Sequence, residues 1–470
     1  MWWNVSEGRS LSVRAAPKKR DTDMTEGGIA RLLIAFALPL MLGNIFQQLY
    51  NTVDSIIVGN FVGKQALAAV GCTGPIVNML IGIFGGLAGG AGVVISQYYG
   101  AKDGEKLHRA VQTTVALTLS LCAALTALGV LATPVLLRWM ATPDDVMGEA
   151  SEYLRIYFWG ISGMLLYNIG SGILRAVGDS RRPLYFLIFS ATLNTALDLL
   201  FVRVFAWGIA GAAFATVVSQ ALSALLVFIL LIRSREDYRI EPRAIGFDGA
   251  ILRRICAIGI PSSLQMGITA VSNVFVQSYI NRFESSCMAG WAAYNKLDAF
   301  AMLPLMGLSM AVTTFVGQNY GARKLDRAGK GPLCGLAIGT AVMIVILTPM
   351  MLFAPTLVRL FNAEAEVIAF GTLFLRLISP FYLLCTVNQI YSGALRGVGD
   401  TKATMYIMLF SFVLFRQLYL FTVYRLGGGI VPIALGYPAG WIMCSAVILV
   451  YYYRFARKKA VLRAEREDRI

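Results

Sequence analysis

Charge is scarce in this chain. Asp, Glu, Lys and Arg make up 14% of its 470 residues. That is too little, with a mean hydropathy of +0.66, for a soluble domain of this length. Histidine occurs once, as His108 in a basic stretch, and is assigned no role. The seven cysteines (72, 122, 256, 287, 334, 385 and 444) form no CxxC. Scattered and odd in number, they make neither a disulfide framework nor a metal site, and read as small core residues. No GxxxxGKS or GxxxxGKT is present, which excludes ATP hydrolysis through a P-loop. Residues 1–28 contain no apolar run, so a secretory signal is excluded there.

What is abundant is apolar: 57% of the residues are hydrophobic. From Ile29 onward the sequence offers twelve apolar segments long enough to span a bilayer. They run at about 31–59, 65–98, 109–140, 149–177, 183–205, 207–233, 251–282, 287–320, 330–361, 365–398, 402–425 and 429–455. Residues 1–28 are expected to be a disordered cytoplasmic tail, 234–250 a cytoplasmic linker and 456–470 a charged cytoplasmic tail. Met24 opens a stretch, MTEGGIARLLIAF, that leads straight into the first segment and is an alternative start.

Net charge is +15, and its placement decides its meaning. Of the 41 Lys and Arg, 31 fall in the termini, the linker and the loops on one side, and 6 on the other. This asymmetry puts both termini in the cytoplasm of a cell whose plasma (inner) membrane holds the protein. It also accounts for the basic balance without nucleic acid.

The chain repeats itself. SQYYGAKDGEKLHRA at 96–110 returns as GQNYGARKLDRAGK at 317–330, and SGILRAVGDS at 171–180 as SGALRGVGDT at 392–401. The offset is 221 in both. The stretch near 37–51 aligns with that near 259–273 with one extra residue. Each half therefore holds six segments in one order. Six is even, so the halves insert in the same sense, as parallel repeats with a substrate site between them. The fold class is an all-α membrane protein. Twelve transmembrane helices form two parallel six-helix repeats, an N-lobe over 29–233 and a C-lobe over 251–455. Segment two carries small residues every four positions, which lets helices approach closely.

Residues 39–59, PLMLGNIFQQLYNTVDSIIVG, hold the strongest functional signal. Asn44, Gln47, Asn51, Asp54 and Ser55 form one polar stripe along an apolar rod. Pro39 near its start invites a bend. A carboxylate at this depth is costly and ordinarily lines a cavity or an ion path. The plainer alternative is a polar face packed on neighbouring helices. Asn194 and Asp198 are four apart and share a helix face, though Asp198 could also be an interfacial residue. In the second half Asp298 is the one deep acid, either a substrate contact or half of a pair with Lys296. Arg376 and Arg416 stand as interfacial residues or as partners of a carboxylate. Met266, Phe275, Trp291 and Met306 suit a cleft for bulky cations and equally suit plain core.

LYNTVDSIIVG, the two QxYGA boundaries and the two SGxLRxVGD motifs together resemble the multidrug and toxic compound extrusion (MATE) family, in particular its DinF-like and archaeal branch. The resemblance covers roughly residues 29–455. It implies two lobes around a central cleft, rocker-switch alternating access, and antiport of amphipathic, mostly cationic compounds against H⁺ or Na⁺. The protein would then be a transporter and not an enzyme, with no cofactor beyond the coupling ion.

The resemblance further implies that Asp54 is the first-helix acid and Pro39 the bending proline. Asn194 and Asp198 fall on the fifth-helix pair, Tyr153 and Asn168 on the fourth-helix tyrosine and asparagine, and Thr216 on the sixth-helix threonine. Asn51, one turn from Asp54, is a supporting ligand in this reading. Two carboxylates facing each other in low dielectric repel, so one is expected to hold a proton. A Na⁺ held by Asp54, Asn194, Asp198 and Thr216 is the alternative. The acids are not repeated: Val276 stands opposite Asp54, Phe415 opposite Asn194 and Tyr419 opposite Asp198. The expected partners are small amphipathic cations and membrane lipids, and the expected state is a monomer. The rival function is a flippase of the same superfamily moving a lipid-linked precursor.

Overall fold

The computed structural model describes residues 23–140 and 142–456. Of the expected tails, 1–28 and 456–470, the parts 1–22 and 457–470 lie outside them. Among the described residues, twelve long helices run in the order of the apolar segments. The first six are α1 (Ile29–Phe61), α2 (Lys64–Gly100), α3 (Gly104–Trp139), α4 (Asp144–Ala176), α5 (Arg181–Val204) and α6 (Gly208–Arg233). The second six are α7 (Gly249–Ile280), α8 (Ser285–Gly321), α9 (Leu325–Leu352), α10 (Ala365–Gly397), α11 (Thr401–Arg425) and α12 (Ile430–Ala456). Eleven are long and apolar enough to cross a membrane; α4, with Arg155, Glu149 and Glu152 in its first half, is the exception.

Local chemistry sets several of the starts. Asp103 caps α3 by accepting from Lys106 N at 3.0 Å, and Asp248 caps α7 by accepting from Ala250 N and Ile251 N. Asp179, at the VGD turn before α5, accepts from Arg181 N and Arg182 N and pairs with the Arg182 side chain at 3.1 Å. Its repeat counterpart Asp400 accepts from Tyr451 Oη at 2.6 Å. Both turns pass through a glycine in the left-handed region, Gly178 (φ 94) and Gly399 (φ 79), where a side chain would be strained. The linker is not loose. Tyr238 and Ile240 are buried, and Gln112 on α3 donates to the Arg239 carbonyl.

Two hydrophobic cores are present, and they exchange helix starts. Leu33, Phe36, Ala37 and Leu40 of α1 belong to the core built by α8–α12. Ile251, Ile255 and Ile258 of α7 belong to the core built by α2–α6. The later part of each helix returns to its own half, with Ile57 and Val58 in the first core and Val276 and Ile280 in the second. Pro39 and Pro261 lie where each helix leaves the foreign core, and the 222-residue offset superposes them. Small residues make the crossings close. A Cβ on Gly90 would lie 2.6 Å from Gly259 N, and one on Gly307 would lie 2.9 Å from Met41 Cγ.

The expected tail ends earlier than residue 28. Met24 is fully buried; its N–H donates to Gln318 Oε1 (3.0 Å) and its carbonyl accepts from Asn319 Nδ2 (3.0 Å). Lys324 Nζ donates to the Thr25 carbonyl. Residues 23–28 thus form a strap fixed to the end of α8.

A carboxyl pair between α1 and α5

Asp54 projects from α1 toward α5, and Asp198 ends the regular α-helical part of α5. Immediately after Asp198 the backbone widens into a π-helical turn over Leu199–Val204. Such turns are frequent at functional sites. Asp198 is 0% exposed, and its carboxyl group lies beside that of Asp54. Two carboxylates side by side in low dielectric repel unless a proton or cation lies between them. Asp54 Oδ1 and Asp198 Oδ1 are both buried with no donor among the described residues.

The fourfold spacing on α5 does what the sequence implies. With its amide oriented to match donors to acceptors, Asn194 donates to Asp198 Oδ2 at 3.2 Å and accepts from Thr216 N at 3.2 Å. Asn194 and Thr216 are nearly fully buried. Thr216 Oγ1 is spent on the Ala212 carbonyl of its own helix α6. Tyr153 of α4 is buried beside the two acids and stacks on Tyr157, with ring centroids 6.4 Å apart. Four helices thus converge on one carboxyl pair: α1, α4, α5 and α6.

Two expected residues are not brought to it. Asn168 donates to the Met164 carbonyl one turn back on α4 at 2.9 Å. Asn51 is exposed, and only its backbone carbonyl is engaged, by Ser55 Oγ. Three further residues lie at the pair. Tyr50 of α1 lies close to Asp54, Asp198 and Gln220 of α6, and Tyr157 borders Tyr50. Tyr157, Thr216 and Gln220 also line a small cavity between α4 and α6. Each is four residues from a residue named from the sequence, so helical periodicity was the signal for them.

The second half is different. Asp298 of α8 is half-buried and accepts from Tyr382 Oη, which in turn contacts Tyr294 Oη at 3.2 Å. Lys296 does not pair with Asp298; its ammonium lies over the Phe361 ring at 5.4 Å. Arg376 donates to the Met351 carbonyl. Trp291 is core, packed edge-on against Phe374, whereas Met266, Phe275 and Met306 are exposed. Pro39 lies within a single unbroken helix.

The comparisons with known proteins concern the family and the fold. The MatE family model matches residues 39–200 and 261–420, one copy per half. The chain is 32% identical to the probable multidrug resistance protein YpnP of Bacillus subtilis (strain 168), over 93% of this chain and 98% of that protein. It is 30% identical to the probable multidrug resistance protein YoeA of the same strain, over 91% and 94%. Among solved structures, MATE in the straight conformation is similar with a TM-score of 0.86 at 25% identity, covering 94% of this chain and 99% of that one. A MOP superfamily transporter from Pyrococcus furiosus gives a TM-score of 0.87 at 24% identity, covering 94% and 98%, which speaks to the fold alone. With two matched repeats, a twelve-helix membrane fold and relatives aligned over nearly their whole length, the chain belongs to the MatE family of membrane transporters.

Proposed function

We propose that the protein is a secondary active multidrug exporter that exchanges amphipathic, mostly cationic compounds for protons by rocker-switch alternating access. The observation that carries this reading is the buried Asp54–Asp198 contact between α1 and α5. The pair can hold one proton in a hydrogen bond with a single negative charge left on it, or lose that proton and carry a second negative charge that a cationic substrate would favour. Proton binding and substrate binding then favour different lobe arrangements, which is how a carrier couples two fluxes. Expelling a monovalent cation against an inside-negative potential costs about 2.3 kcal/mol per 100 mV, which the inward ion must offset.

In this reading Asn194 and Thr216 position Asp198, Tyr153 closes the pocket, and α1 bends at Pro39 as the site changes occupancy. Na⁺ is the competing coupling ion, with the same carboxyl and amide oxygens as ligands. The protein is an inner-membrane monomer with both termini cytoplasmic, a placement supported by the basic bias of the α2–α3, α6–α7 and α8–α9 connections. An impermeant thiol reagent applied outside intact cells should leave Arg243→Cys unlabelled; labelling there would invert the topology.

The deciding experiment uses everted vesicles with pH and Na⁺ gradients imposed separately. Proton coupling predicts substrate accumulation driven by a pH gradient in sodium-free buffer. Accumulation that disappears without Na⁺, and returns with a Na⁺ gradient at constant pH, overturns it.

A further inference from the structure

Arg416 is the feature the carboxyl pair does not explain. It lies on α11, about 14 Å from the Arg425 end and roughly 22 Å from the Thr401 end at the rise of an α-helix. That is close to mid-membrane, away from the depth of lipid headgroups. It is 2% exposed, and among the described residues no carboxylate lies within ion-pair reach. Its Nε donates to the Phe412 carbonyl at 3.1 Å, and its Nη2 donates to Ser272 Oγ and to Asn273 Oδ1. The guanidinium lies over the Tyr437 ring at 5.0 Å. No protein acceptor faces Nη1 among the described residues.

A lone guanidinium at this depth is expensive, and neutral oxygens offset only part of the cost. Packing alone does not call for a charge here.

Its place in the repeat is informative. By the offsets that relate the halves, α7 and α11 are the counterparts of α1 and α5. Ser272 and Asn273 fall on Tyr50 and Asn51, and Arg416 falls one residue past the counterpart of Asn194. Both elements carry a π-helical turn beside the charged residue: Leu199–Val204 follows Asp198, and Leu409–Phe415 precedes Arg416. The first half thus presents two carboxyl groups where the second presents a guanidinium fork, with Gln417 donating to Ser272 beside it. Such a fork is suited to a carboxylate.

We propose that Arg416, held by Ser272 and Asn273, is an anion-binding position for a carboxylate carried by an amphipathic substrate. This rests on the exporter reading given above and names a residue that would contact such a substrate.

The test is equilibrium binding to purified protein of a rhodamine dye bearing a free carboxylate, compared with its methyl ester. Wild type should bind the free acid, and Arg416→Gln should weaken the acid by at least about tenfold while leaving the ester nearly unchanged. Arg416→Lys should recover part of the loss, because it keeps charge without the fork. Unchanged ester affinity also shows that the variant is folded. No binding of the acid by wild type, equal loss of acid and ester, or an acid-to-ester ratio that ignores Arg416 overturns the proposal. So does release of a short-chain anionic phospholipid, instead of the dye, on the Arg416→Gln change. Failure of vesicles to export the ester would count against the exporter reading alone.

Discussion

Gln97 Nε2 donates to the Gly397 carbonyl across 2.8 Å, tying the end of α2 to the end of α10. The repeat makes the same bond a second time, from Gln318 Nε2 to the Ala176 carbonyl at 2.9 Å. The glutamine of each QxYGA motif thus reaches the backbone beside the VGD turn of the other half. The remaining amide oxygens are also used, by Arg254 Nη2 on Gln97 (2.7 Å) and by Met24 N on Gln318. These bonds close the basic end of the molecule, so the repeated motifs act as a latch between the lobes.

Breaking the latch should shift the lobes. Each buried bond is worth about 1 kcal/mol, so Gln97→Ala with Gln318→Ala should change the ratio of closed to open basic end by roughly thirtyfold. Spin labels at Lys106 and Lys330, in the first two turns of α3 and α9, report it as a longer distance population. An unchanged distance distribution would show that the latch does not hold this end.

The glycines of the same motifs allow no side chain. A Cβ on Gly100 would lie 1.9 Å from the Gln318 carbonyl oxygen, and one on Gly321 would lie 1.9 Å from that of Gln97. Backbone cannot yield as a flexible side chain can. Gly100→Ala and Gly321→Ala should each cost roughly 1–3 kcal/mol or more and lower the thermal midpoint in detergent by several degrees. Gly89→Ala, with open space around it, is the control and should change little. Equal midpoints for all three would contradict the close crossing.

Pro261 should matter as Pro39 does. Both prolines sit where their helices pass between cores, and neither supplies the backbone donor that would stiffen the helix there. Pro261→Ala should cut transport several-fold, to about the same degree as Pro39→Ala, while leaving substrate affinity within about twofold. Normal turnover in Pro261→Ala would confine the hinge to α1.

Membership of the carboxyl site can be tested residue by residue. Asp54→Asn and Asp198→Asn remove charge but little volume and should reduce coupled efflux by more than about tenfold. Asn168→Ala and Asn51→Ala should stay within about threefold, because Asn168 is bonded to its own helix and Asn51 is exposed. Efflux assayed at matched membrane expression decides it. Loss on Asn168→Ala equal to that on Asp198→Asn would return Asn168 to the site.

The twelve segments, the repeat and Asp54 were legible because each is a matter of spacing along the chain. An acid on a polar stripe of an apolar helix announces itself. Asn51 was on that stripe too, yet it is exposed where Asp54 is half-buried. Tyr50 was overlooked because an aromatic on a membrane helix reads as packing until its neighbours are known. The exchange of helix starts was hidden for a different reason. A repeat gives the order of helices but not which core each half-helix enters. Pro261 could have been found from the 222-residue offset alone. The isolation of Arg416 could not, since it depends on what α7 and α12 bring to α11.

The most direct test of the central account is the count of protons released when substrate binds. Purified protein in lightly buffered, sodium-free detergent solution is titrated with a cationic substrate and followed with a pH-indicator dye. If the Asp54–Asp198 pair shares a proton that substrate displaces, wild type should release roughly one proton per substrate bound, and Asp54→Asn and Asp198→Asn close to none. Binding by wild type without proton release, or release that persists in both variants, would contradict the account.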